Sequence, residues 1–73
     1  MKKVLATRIV NNNEVQLIEE SGWYYVNWGE ANQSDKTESR IETPEGRKPS
    51  LNQVHKQFLE ACEAAEYVRF SKL

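Results

Sequence analysis

The stretch Val15-Gln16-Leu17-Ile18-Glu19-Glu20-Ser21-Gly22-Trp23-Tyr24-Tyr25-Val26-Asn27-Trp28 decides the fold, because its own pairing can be read from it. Ser21-Gly22 has the composition of a two-residue hairpin turn, which accepts left-handed backbone and matches the twist of the strands it joins. Folding there sets Glu20 against Trp23, Ile18 against Tyr25, Leu17 against Val26 and Val15 against Trp28. Side chains alternate between faces along a strand, so Val15, Leu17, Tyr24, Val26 and Trp28 share one face. Ile18, Trp23 and Tyr25 fall on the other, with Gln16, Glu20 and Asn27. The first set is a core face. The second carries more apolar surface than a solvated face needs, which makes it a candidate contact surface.

Working outward, Lys3 to Val10 reads as a preceding strand, with Asn11-Asn12-Asn13 as its turn, since asparagine tolerates left-handed backbone better than most residues. A three-residue loop pairs Val10 with Glu14 and turns Leu5, Thr7 and Ile9 to the core. It leaves Val4, Ala6, Arg8 and Val10 on the outer face beside Ile18, Trp23 and Tyr25. A two-residue loop would instead send Arg8 to the core face, and the three-residue register is the expected one. Strands are thus expected over about 3–10, 14–20 and 23–29, followed by the polar loop Glu30 to Asp35 and a weaker strand over 36–43 around Ile41. Pro44-Glu45-Gly46 reads as a turn.

Ser50 and Gln53 form a capping box, so a helix starts at Leu51. Leu51, Val54, Phe58, Ala61, Cys62 and Ala65 recur at helical spacing on one stripe, opposite Asn52, Lys56, Glu60 and Glu63. The helix runs to about 67, and Val68 and Phe70 form a short apolar tail that either tucks under the helix or contacts another chain. The expected fold class is α+β: a three- to four-stranded antiparallel meander in one small domain, with one C-terminal helix covering a single face.

Seventy-three residues lie near the lower limit of independent stability, where a single core supplies roughly 3–5 kcal/mol. Self-association or a bound partner would relieve that shortage. Ten basic and eleven acidic side chains exclude a strong global nucleic-acid or membrane signature. Residues 1–46 carry −3 and residues 47–73 carry +2, a difference small enough to belong to solvated surface. The one cysteine, Cys62, cannot form an internal disulfide, and no run resembles an export signal or a membrane span, so a cytoplasmic protein is expected. Asn32-Gln33-Ser34 matches a glycosylation acceptor and, without export, reads as coincidence.

Catalytic stock is thin: one histidine, one cysteine and no phosphate or dinucleotide motif. His55 and Cys62 are two helical turns apart, about 10 Å, too far for a nucleophile and its base. Glu19-Glu20 point to opposite faces of a strand, and Glu60, Glu63 and Glu66 form a solvated helical ridge. No ligand set suits a metal, and no cofactor is expected. The chain is read as a non-catalytic protein.

Arg8, Ile18, Trp23 and Tyr25 are therefore the candidate partner-binding residues, since clusters of Trp, Tyr and Arg dominate interface energetics. The simplest partner is a second copy, and a regulator or inhibitor of a larger complex is the broader expectation. An alternative is single-stranded nucleic-acid binding through Arg8, Trp23, Tyr25, Arg47 and Lys48, with sheet aromatics as stacking platforms. The order of sheet then helix, with Gly46-Arg47-Lys48 before Ser50-Leu51-Asn52, resembles the single-strand-binding transcriptional coactivator family over fewer than ten residues. Pro49 interrupts what would be that family's last strand, and no site residue is carried over from the resemblance.

Overall fold

The computed structural model describes residues 1–67. Four antiparallel strands, β1 (Lys3–Val10), β2 (Asn13–Glu20), β3 (Trp23–Glu30) and β4 (Thr37–Arg40), form one sheet in sequence order, followed by α1 (Leu51–Tyr67). The sheet and the single helix give the α+β class expected from the sequence. The expected tail at Val68 and Phe70 lies outside the described residues.

The central ribbon pairs as its turn dictates. Glu20 faces Trp23, Ile18 faces Tyr25, Leu17 faces Val26 and Val15 faces Trp28. Ser21 and Gly22 both have positive φ, 54° and 80°, the signature of a turn that follows the strand twist. The core is then assembled on one face: Val15, Leu17 and Val26 from the ribbon, Ile41 after β4, and Val54, Phe58, Cys62 and Ala65 from α1, with Tyr24 and Trp28 packed against them. The capping box is formed, the Ser50 N–H donating to Gln53 Oε1 at 3.1 Å and the Gln53 N–H to Ser50 Oγ at 3.3 Å. Leu51 is 66% exposed despite its place on the apolar stripe, whereas Val54 in the same turn is buried.

The β1 register differs from the expectation. Val10 pairs with Asn13, Arg8 with Val15 and Ala6 with Leu17, so the loop is the two-residue Asn11-Asn12, with φ of 49° and 73°. Asn13 belongs to β2 and is buried, its Nδ2 donating to the Ala65 main-chain oxygen at 2.9 Å. Asn11 Nδ2 donates to the Glu66 oxygen at 3.3 Å. The last turn of a helix leaves carbonyls without intrahelical partners, and these two asparagines supply the missing donors. That demand from α1 recruits Asn13 into the strand and shortens the loop by one residue. Consequently Ala6, Arg8 and Val10 lie on the helix side of the sheet, while Thr7 and Ile9 lie on the outer side. A bulge between Val4 and Ala6 absorbs Leu5 and returns Val4 to the outer face opposite Ile18. Leu5 and Ile9, expected in the core, are exposed.

The fourth strand is shorter than the 36–43 span, because its ladder with β3 runs only from Tyr25↔Arg40 to Trp28↔Thr37. One further bond, Ile41 N–H to the Tyr24 oxygen at 2.9 Å, carries Ile41 into the core. Thr43 then accepts from Gly46, whose φ of 77° closes the turn around Pro44.

Candidate functional site

The outer face of the sheet is built in rows. Val4, Ile18, Tyr25 and Arg40 form one, and Thr7, Gln16, Asn27 and Glu38 the next. Glu20 and Trp23 stand beyond the first row, and Glu14 and Gly29 beyond the second. The side chains of α1 that enter the core do so from the opposite face.

This outer face is curved along one diagonal. Lys2 Nζ lies 3.2 Å from Glu38 Oε1, although Lys2 precedes β1 and Glu38 is on β4, the far edge. Glu38 shares its row with Thr7, and Lys2 and Thr7 are four rows apart once the Leu5 bulge is counted. In a flat sheet the two Cα atoms would be about 19 Å apart, from a strand spacing of ~4.8 Å and a rise of ~3.3 Å per residue. Extended lysine and glutamate side chains in contact span only about 14 Å between Cα atoms at ordinary bond lengths. The twist of the sheet must therefore lift these two opposite corners toward each other. Ile18, between Val4 and Tyr25 in its row, is only 3% exposed.

Trp23 and Tyr25 remain half-buried on this surface. The Arg40 guanidinium lies 4.3 Å from the centroid of the Trp23 ring, within cation–π range. Glu42 orients it, accepting from Arg40 Nε at 2.8 Å and lying 2.7 Å from its terminal nitrogen. Arg40 thus occupies the position expected of Arg8. The alternation that places Ile41 in the core sends Arg40 outward, which is the sequence signal that could have found it.

Arg8 is on the helix side instead, beside Cys62. Burial pushes the Cys62 thiol above its ordinary pKa, and the charge and hydrogen bond of Arg8 pull in the opposite direction. The site therefore gathers Ile18, Trp23 and Tyr25 but not Arg8. Of the two cations proposed for nucleic acid, the Lys48 ammonium approaches the Gly22 turn, 3.5 Å from where a Cβ there would stand, next to Trp23. Arg47 is held by its main chain against Thr43.

Two polar features complete the face. Asn27 Oδ1 is buried without a hydrogen-bond partner, whereas Gln16 Nε2 lies 3.5 Å from Thr7 Oγ1. Lys36 crosses Gly29 to reach Glu14 at 3.0 Å, with only 11% and 19% of the two side chains exposed. On the helix side, an open groove of about 500 Å³ runs between α1 and β4, floored by Val26, Trp28 and Ile41. It exists because α1 stands chiefly over β2 and leaves the β4 side uncovered.

Among the described residues, no three His, Cys, Asp or Glu side chains are grouped to hold a metal ion, and no helix is long and apolar enough to cross a membrane. No protein-family model, curated protein or solved structure matches the chain.

Proposed function

We propose that this chain is a non-catalytic interaction module that docks a protein partner on the outer face of its sheet. The observation that carries this reading is the pair Trp23 and Tyr25, half-buried on the face opposite α1, with Arg40 held against Trp23 by Glu42. Tryptophan, tyrosine and arginine lose little conformational entropy when already packed, so they release most of their contact energy to a partner. In this reading the module regulates or inhibits a larger complex by occupying a surface, and its single buried thiol suits the reducing cytoplasm.

Nucleic acid is the weaker reading. Lys48 and Arg40 stand near Trp23, yet Arg8 is on the other side of the sheet and Glu20, Glu38 and Glu42 surround the aromatics, which opposes phosphate.

The test is capture of a partner from cell extract by the immobilised chain, compared with Trp23→Ser and Arg40→Ser variants. Loss of the same captured protein from both variants, with thermal unfolding nearly unchanged, is the expected result. Equal capture by all three would refute the assignment. Binding of a labelled oligonucleotide that strengthens as salt is lowered would transfer the site to the nucleic-acid reading.

A further inference from the structure

The two edges of the sheet differ. β4 is four residues long and wholly polar, Thr37-Glu38-Ser39-Arg40, the usual protection of an edge against association. β1 is eight residues long and contains Val4, Leu5, Ala6, Ile9 and Val10. Of these, Val4, Leu5 and Ile9 are 52%, 42% and 60% exposed. Among the described residues, an edge of this length and character presents unpaired main-chain groups beside apolar side chains.

The phase of those groups follows from the turn. A two-residue hairpin loop makes its flanking pair, Val10 and Asn13, a hydrogen-bonded pair. Alternation then directs the main-chain groups of Arg8 and Ala6 toward β2 and turns those of Ile9 and Thr7 outward. Three antiparallel registers with a second β1 bring the outward groups of Thr7 and Ile9 face to face. The one centred on Ile9 sets Thr7 against the partner's Asn11 in the turn and so overlaps only the end of the strand, which leaves two. One sets Thr7 against the partner's Ile9 and so places Arg8 directly against the partner's Arg8, an unfavourable like-charge pair. The other centres on Thr7. It sets Arg8 against the partner's Ala6 and brings Ile9 beside the partner's Leu5, so the exposed apolar side chains meet each other.

We propose that the free edge of β1 pairs with the β1 of a second copy, antiparallel and centred on Thr7, to form a continuous eight-stranded sheet. The two-fold axis passes through the sheet at Thr7, so both helices lie on one face and both outer surfaces on the other. Leu59, half exposed and one helical turn from Cys62, stands on the flank of α1 that faces Arg8 and the axis. It adds apolar surface above the strand junction. An eight-residue strand of ~27 Å in a molecule two layers, or ~20 Å, thick offers about 500 Å² per copy. That reaches the ~1,000 Å² total expected of a specific but weak interface, so the dimer is concentration-dependent. This contact is separate from the outer-face site and stands or falls independently of it.

Sedimentation velocity of the full chain over a hundredfold range of concentration tests the association. The expected result is a reversible shift from monomer to dimer, abolished by Ile9→Lys and by Thr7→Pro. Proline at position 7 removes only an outward N–H, which an edge strand tolerates. The register is read by symmetric disulfide formation in a Cys62→Ala background: Thr7→Cys crosslinks readily and Arg8→Cys does not, since paired strands hold facing Cα atoms about 5.5 Å apart. A sample monomeric throughout, a dimer that survives Ile9→Lys, or preferential crosslinking by Arg8→Cys would overturn the proposal. Circular dichroism of each variant establishes that it is folded, and the crosslinking pair decides the register if Thr7→Pro is not.

Discussion

Asn13, the first residue of β2, donates from Nδ2 to the main-chain oxygen of Ala65 at 2.9 Å, tying the start of the second strand to the last turn of the helix across 52 residues of sequence. The bond holds Asn13 within the strand, the position that goes with the parity of β1 and with the side chains that face α1.

Replacement Asn13→Ala leaves a buried carbonyl without its donor and is expected to cost roughly 1–3 kcal/mol. Urea unfolding followed by far-ultraviolet circular dichroism measures it. Asn11→Gly, which breaks a longer and exposed bond to Glu66 while keeping a residue that accepts φ of 49°, is expected to cost less. Equal losses at the two positions would contradict the role given to Asn13.

The Asn11-Asn12 turn carries two left-handed residues, at φ 49° and 73°. Glycine adopts that backbone without a Cβ penalty, and Asn-Gly is a favoured pair for this turn. Asn12→Gly should therefore raise stability by up to about 1 kcal/mol, and Asn12→Val should lower it by at least as much. The shift in urea midpoint decides the sign.

Gly29 makes room for Lys36. A Cβ at position 29 would stand 2.9 Å from Lys36 Cγ and 3.5 Å from its Cα, so more than a flexible side-chain tip must move. Gly29→Ala is expected to cost about 1–3 kcal/mol, as overpacking does, and to disturb the Lys36 to Glu14 ion pair. Trimming the lysine with Lys36→Ala should make the second substitution less costly. A double-mutant cycle with no coupling would refute the contact.

Cys62 supplies a pH dependence. Its thiol is shifted upward, first by burial, so the folded protein holds that proton more tightly than the unfolded chain. The sign follows: the stability is fully present below the ordinary thiol pKa of about 8.5 and is lost as pH rises through the raised folded value. Cys62→Ala removes this alkaline decline. Arg8→Met keeps the aliphatic cover and removes the charge that lowers the thiol pKa, so alkylation of Cys62 should become slower at a fixed alkaline pH. Faster alkylation would mean that Arg8 acts only as a steric cover.

The ribbon from Val15 to Trp28 and the helix from Leu51 to Tyr67 were legible in the chain because their signals are local. A Ser-Gly turn, alternating apolar residues, a capping box and a helical stripe each act within a few residues of themselves. The β1 register was not legible in the same way. Whether Asn13 closes a turn or opens a strand depends on a carbonyl 52 positions away, and a change of one residue reverses every side chain that follows. For the same reason the sequence pattern points Arg8 to the outer face, when it is Arg40 that lies against Trp23.

Composition and periodicity alone determined that this chain makes an antiparallel meander capped by one helix, with aromatic side chains on the face away from it. Tertiary structure alone decided the burial of Ile18, the pairing of Lys2 with Glu38 across the sheet, and the exposure of Val4, Leu5 and Ile9 along the edge strand. Local preference specifies turns and repeats, whereas the twist of a sheet and the demands of a helix end arise only once distant segments meet.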